Sequence, residues 1–227
     1  MISGIHNVLD GALLQKLRFD NIANNLANIS TNAFKKDIIS FNQTLSMQYI
    51  SETDFSPGPV IYTGNKLDVA LTSKGFFKIQ ASSGIRYTRN GSFSLNAEGF
   101  LVTQKGDKVL GRNGPIKING SGISIGSDGQ VTVDNGPVDR ILVVDSKHPQ
   151  LLKKEGASYY IYQGGDEGIF QSEDFDIKQS YLEKSNVNPT EEMIKMIETF
   201  RAYESAQKAI QCMDEMTNKM VNDPGLQ

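Results

Sequence analysis

Two histidines, one cysteine and a scatter of carboxylates are the side chains of this 227-residue chain whose types could do chemistry, and their spacing argues against it. His6 lies in an apolar N-terminal stretch and His148 precedes Pro149 in a polar loop. Neither has a partner at ligand spacing, so each reads as a surface histidine and no zinc site is expected. Cys212 has no second cysteine to pair with and falls in a helical pattern, where a small buried hydrophobe is the natural reading. Gly120-Ser121-Gly122 with Gly126 has the outline of a phosphate loop, but strand-like Ile123–Ile125 follows where a helix N-terminus is needed. Asp166-Glu167 and Glu173-Asp174 sit beside glycine and polar residues, as solvated turns do. Asp128 and Asp134 flank a hairpin, and their spacing is not that of an EF-hand loop. No Gly-x-Ser-x-Gly, P-loop or His-Glu-x-x-His motif occurs. The expectation is a chain with no catalytic, cofactor or metal set.

What remains is architecture. Ile5, Leu9, Ala12, Leu13, Leu17, Ile22, Leu26 and Ile29 recur at mostly three- and four-residue steps, which line one side of a helix. Asn21, Asn25 and Asn28 recur beside that stripe at i, i+4 and i+7. Either the helix caps and frays there, or the three amides form a ladder to a neighbouring helix. Near the other end, Asn188-Pro189-Thr190-Glu191 supplies a cap, a proline at the first helical position and acid in the first turn. Met193, Met196, Phe200, Tyr203, Ala206, Ile210, Met213, Met216 and Met220 then recur about every 3.4 residues, near a coiled-coil seam. Each terminal helix carries an apolar stripe that it cannot bury alone. Assembly is the expected use.

Between the helices the pattern shortens to alternating runs such as Phe76–Ile79, Phe93–Leu95, Phe100–Val102, Ile123–Ile125, Val131–Val133 and Ile141–Val144. Asn90-Gly91, Asn119-Gly120, Asp128-Gly129 and Asn135-Gly136 supply the positive φ angles that tight hairpins need. The fold class expected is mainly β with terminal α-helices. Residues 1–36 form the first helix and its turn, 37–62 a polar connector, 63–182 an irregular antiparallel β domain, and 183–227 the second helix. The two helices are expected to pair into an inner helical domain.

Composition narrows the function. The chain is 38% hydrophobic and 22% charged with net charge −3, and its Lys and Arg are dispersed, so no phosphate-neutralising patch for nucleic acid is formed. No apolar run reaches the roughly 18 residues of a membrane span. Asp10 and Gln15 interrupt the N-terminal apolar stretch, which argues against a cleaved secretory signal. A β-domain enzyme or carbohydrate-binding module with a helical handle would need an aromatic-lined site. The aromatics here fall mostly at alternating strand positions, as core residues do.

Three stretches converge on one family. Asp20–Lys36 (DNIANNLANISTNAFKK) resembles the N-terminal signature of the flagellar rod and hook proteins, and SNVNPTEEMIKM from Ser185, with ETFRAYES from Glu198, resembles their C-terminal one. Thr63–Ile79 and Tyr87–Gly111 look like their shared β domain. The resemblance covers nearly the whole chain in order. Ala33 stands where the family usually has glycine, so the turn before Phe34 is expected to avoid a positive φ. The short connector, Asn188-Pro189 and Lys208-Ala209-Ile210-Gln211 point to a proximal rod subunit over a distal rod or hook subunit.

The resemblance implies a structural, non-enzymatic subunit of the flagellar basal-body rod, in the periplasm, exported by the flagellar type III apparatus without a cleaved signal. Other rod subunits would be its partners, in a helical tube that transmits torque, with no nucleic acid, cofactor or small-molecule substrate. Packing between subunits is then expected at Leu13, Leu17, Ile22, Leu26 and Ile29 against Met193, Ile197, Phe200, Tyr203 and Ile210. Asn21, Asn25 and Asn28 are the candidates for polar registry.

Overall fold

The computed structural model describes residues 2–41, 49–134 and 136–222. The chain divides into two compact units, residues 1–27, 37–51 and 188–227 in one, 28–36 and 52–187 in the other. The first holds α1 (Ile2–Ala27) and α2 (Pro189–Asn222). Asn188 begins α2 as its sequence dictates: the side-chain oxygen accepts from the Thr190 N–H at 3.1 Å and the Glu191 N–H at 3.4 Å. Pro189 occupies the position where a missing N–H costs nothing, and Glu191 and Glu192 face the positive helix end. At 34 residues α2 is about 51 Å long. In the sequence between α1 and the β-rich unit, strands Asp37–Phe41 and Tyr49–Thr53 pair with each other.

The second unit is antiparallel β-structure throughout its named pairings. Its central strand Phe76–Ala81 pairs with Gly84–Thr88, Lys108–Gly111 and Val143–Ser146. The large sheet ends on Leu152–Glu155 at one side and Phe93–Leu95 at the other, so it does not close into a barrel. Alternation along the central strand builds two cores. Phe77 and Ile79 enter a cluster with Val69, Leu101, Val109 and Val143, while Phe76 faces Tyr87, Val144, Leu152 and Tyr160. The three-stranded sheet of Ile123–Ile125, Gln130–Val133 and Gly136–Arg140 adds Ile125, Val131 and Val133 to the larger cluster. The architecture is therefore mainly β with a helix towards each end, as the sequence predicts.

The turn chemistry meets expectation at Asp128-Gly129 and departs from it elsewhere. Asp128-Gly129 lies in a loop between paired strands, with Gly129 at φ +82°. Asn90-Gly91 makes no hairpin. Gly91 is needed because its backbone passes so close to Val69 that a Cβ would stand 1.8 Å from the Val69 carbonyl oxygen. Gly120 does take a positive φ, but outside any hairpin, against the Asp134 side chain. Beside Gly136 the positive φ falls on Asp134 at +48°, and Asn135 lies outside the described residues. Ala33 corrects the last reading: its φ is +56°. Its N–H donates to the Glu183 carbonyl at 2.8 Å and Phe34 beside it is buried, so tertiary bonds hold alanine in the left-handed region.

Tyr159 gives the β-rich unit an alkaline limit. Its hydroxyl donates to the Asp107 carboxylate at 2.8 Å, so the Thr103 hydroxyl, 2.7 Å away, is the donor in the second bond. Burial, with the Asp107 charge beside it, pushes the phenol well above its ordinary value. An unfolded tyrosine ionises near pH 10. Above that pH the folded chain holds a proton the unfolded chain has lost, so this contribution is complete below about pH 10 and is lost as pH rises further. Urea midpoints measured from pH 8 to 11.5 should fall more steeply in the parent chain than in Tyr159→Phe.

Candidate functional site

In the first unit, the end of α1 is fastened by one amide. Asn25 is 2% exposed; its Nδ2 donates to the Asp37 carbonyl at 3.0 Å and to Glu192 Oε2 of α2 at 3.2 Å. Its Oδ1 accepts from the Asp37 N–H at 3.0 Å. Glu192 is itself buried, and its other oxygen accepts from Lys195 at 3.1 Å. Asn21 Oδ1 takes a longer bond from Asn25, and Asn28 Oδ1 accepts from the Thr31 hydroxyl in the turn after the helix. Of the three candidate registry amides, Asn25 thus spends its side chain within the chain.

The candidate packing residues separate by exposure. Leu9, Ala12 and Leu13 of α1 line a groove together with Tyr203 and Ile210 of α2. Ile22 is buried, and Leu26 and Ile29 are half-buried. Leu13 and Leu17 keep much of their surface exposed. Met193, Ile197 and Phe200 stand outside the groove, exposed with Ile194 as one apolar row over the first turns of α2; Phe200 is 51% exposed. The inward positions of those turns are taken instead by Glu192 and Thr199, both buried. An apolar row turned outward while a carboxylate and a hydroxyl are turned inward is a surface that can bind.

Chemistry is scarce. Among the described residues, no group of three or more His, Cys, Asp or Glu could hold a metal ion. Asp128 spends an oxygen on the Gln130 N–H of its own turn, and Asp134 one on the Gly122 N–H, 12 residues away in sequence. Cys212 is exposed, against expectation. It lies two residues beyond Ile210, some 200° around the helix, on the side away from the groove. The side chain of His6 lies outside the described residues.

Sequence reasoning missed a buried ionic clasp in the β-rich unit. The Glu183 carboxylate is fully buried; Oε1 accepts from Lys35 Nζ at 2.5 Å and the Gly58 N–H at 2.7 Å, and Oε2 from Arg89 Nε at 2.8 Å. Lys35 also donates to the Ser56 carbonyl at 2.7 Å. The rest of the Arg89 fork meets the carbonyls of Gly75, Ser73 and Leu71 at 2.9, 2.8 and 3.2 Å. Burial pulls the Lys35 ammonium below its ordinary value, and the Glu183 charge opposes that pull. Around the carboxylate, Asn186 Nδ2 donates to the Asp54 and Ser56 carbonyls, while Asn186 Oδ1 accepts from the Lys36 N–H. No spacing rule could have joined positions 35, 89 and 183.

The chain matches two family models: "flagellar hook protein FlgE/F/G D1 domain" over residues 70–133, and "flagellar basal body rod FlgEFG protein C-terminal" over residues 178–223. It is 32% identical to the flagellar basal-body rod protein FlgF of Caulobacter vibrioides, with 99% of each chain covered. It is 33% identical to FlgF of Salmonella typhimurium, over 90% of this chain and 92% of that one. It is 30% identical to the flagellar basal-body rod protein FlgG of Bacillus subtilis, over 98% of this chain and 99% of that one.

Proposed function

The chain belongs to the family of flagellar basal-body rod proteins, and from that premise we propose that it is a structural subunit of the rod. It has no enzymatic role. It polymerises with other rod subunits through its terminal helices, which pair as the inner domain of a helical tube that carries torque across the periplasm. A patch on one subunit meets a different patch on the next, and a rotation that does not close produces a tube. It reaches this place through the flagellar type III export apparatus, without a cleaved signal peptide.

One observation carries the reading: the apolar row Met193, Ile194, Ile197 and Phe200 is exposed on α2 while polar Glu192 and Thr199 are buried. A helix serving only its own chain would turn the larger apolar groups inward. The short stretch between the first helix and the β domain favours the proximal rod protein, FlgF, over the distal FlgG or a hook subunit. A strain lacking the gene should be non-motile, with basal bodies that stop short within the rod when imaged. Crosslinks from Phe200 to other proximal subunits would separate FlgF from FlgG. Complete basal bodies in the deletion strain would overturn the proposal.

A further inference from the structure

Three stretches of chain meet at Glu183 in the β-rich unit. Residues 33–36 run beside 183–186, with the Ala33 N–H donating to the Glu183 carbonyl at 2.8 Å and the Asn186 N–H to the Phe34 carbonyl at 3.2 Å. Residues 54–59 close the set, through the Asp54 N–H on the Lys36 carbonyl at 2.9 Å and the Lys184 N–H on the Pro59 carbonyl at 2.8 Å. Gly58 permits the crossing, since a Cβ there would stand 2.2 Å from the Lys184 carbonyl oxygen. Arg89 belongs to a different part of the unit: three of its bonds go to carbonyls at 71, 73 and 75, just before the central strand. The Glu183 carboxylate is the group that ties all three stretches to this anchored guanidinium.

We propose that Glu183 is a latch: its carboxylate holds residues 33–36, 54–59 and 183–186 onto the β core as one clasp, which opens as a unit when the carboxylate is neutralised while the core stays folded. The charge count gives the latch its physical basis. One carboxylate serves two buried cations, Lys35 and Arg89, so a net positive charge stays buried when the clasp is shut. Opening returns the Lys35 ammonium to water, while Arg89 keeps its carbonyl partners. The other charges on the clasp are Asp54 and Lys36, 3.7 Å apart, Lys184, and Lys154, which donates to the Lys35 carbonyl at 2.5 Å. Lys35 is not the latch. Without it, Glu183 and Arg89 still balance, and the Ser56 carbonyl still accepts from Asn186 at 3.2 Å.

Amide hydrogen exchange on the full-length protein tests this. In Glu183→Gln, one donor of the new amide faces either Arg89 or Lys35 and both cations lose their counter-charge. The amides of Ala33, Lys36, Asp54, Lys184 and Asn186 should then exchange at least about 100-fold faster, by a common factor. The amides of Leu101, Ile116 and Ile118, bonded within the core, should change by less than about threefold. In Lys35→Met the clasp amides should stay within about threefold of the parent. The proposal is overturned if Glu183→Gln fails to fold or speeds clasp and core alike, since Glu183 would then be a general support. It is equally overturned if Gly58 alone responds, or if Lys35→Met opens the clasp as fully as Glu183→Gln.

Discussion

Phe200→Asp should abolish incorporation into the rod, and motility with it, while leaving the β-rich unit as stable as in the parent chain. Phe200 is 51% exposed and stands in a row with Met193, Ile194 and Ile197, so the isolated chain loses little when its ring is removed. In the proposed tube that row is covered by a neighbour. A carboxylate placed in a dry apolar seam without a partner costs several kcal/mol, and a helical assembly repeats that cost at every subunit contact. At about 1.4 kcal/mol per tenfold change in affinity, even 4 kcal/mol weakens each contact nearly a thousandfold. The deletion strain carrying this variant should be immotile in soft agar, and its basal bodies should image like those of the deletion itself. Circular dichroism melts of the purified variant and parent should coincide. Glu215→Gln, at an exposed position of the same helix, serves as the control and should restore motility. Normal rods built from Phe200→Asp would remove the helix row from the assembly.

The same residues show which parts of the molecule the sequence could reveal. Helix α2 was legible because its signals are local: a cap, a proline and two acids within four residues of Asn188, followed by regular apolar steps. The strands were legible as alternation, with Phe76 and Phe77 falling to opposite cores. Turns were less so. Gly91 and Ala33 answer to distant backbone, the Val69 and Glu183 carbonyls, and no dipeptide rule contains those partners. Asn25 drew attention as an amide out of place in a helix. Its partners, Asp37 and Glu192, lie 12 and 167 residues away, so the sequence could flag the residue without naming its bonds. Helical periodicity marked Phe200 and Tyr203 alike as stripe positions. Only the fold distinguishes the one left exposed from the one that lines the groove.

Arg89→Leu should be the most destabilising single change in the β-rich unit, lowering its stability by about 3–5 kcal/mol. The side chain is 1% exposed and makes four bonds, one to Glu183 and three to the carbonyls of Leu71, Ser73 and Gly75. Leucine fills part of the volume but leaves the buried Leu71 and Gly75 carbonyls and the half-buried Ser73 carbonyl without that donor. Each costs about 1–3 kcal/mol when nothing replaces it. It also leaves Glu183 facing Lys35 alone, now an even pair, which offsets part of the loss. The carbonyl loss dominates because those groups lie in the loop that aligns the central strand Phe76–Ala81, beside Leu71 and Phe77 of the larger core. Arg89→Lys separates geometry from charge. An ammonium keeps the positive charge, but it is one point donor on a flexible stem and cannot reach Glu183 and three diverging carbonyls as a planar fork does. It should lose more than half as much stability as Arg89→Leu. With a urea dependence of about 1–3 kcal/mol per molar, the leucine variant should move the midpoint down by roughly 2 M, read from tyrosine near-ultraviolet dichroism. A midpoint shift under about 0.5 M for Arg89→Leu would mean that water reaches the three carbonyls and that the guanidinium is not what holds the loop.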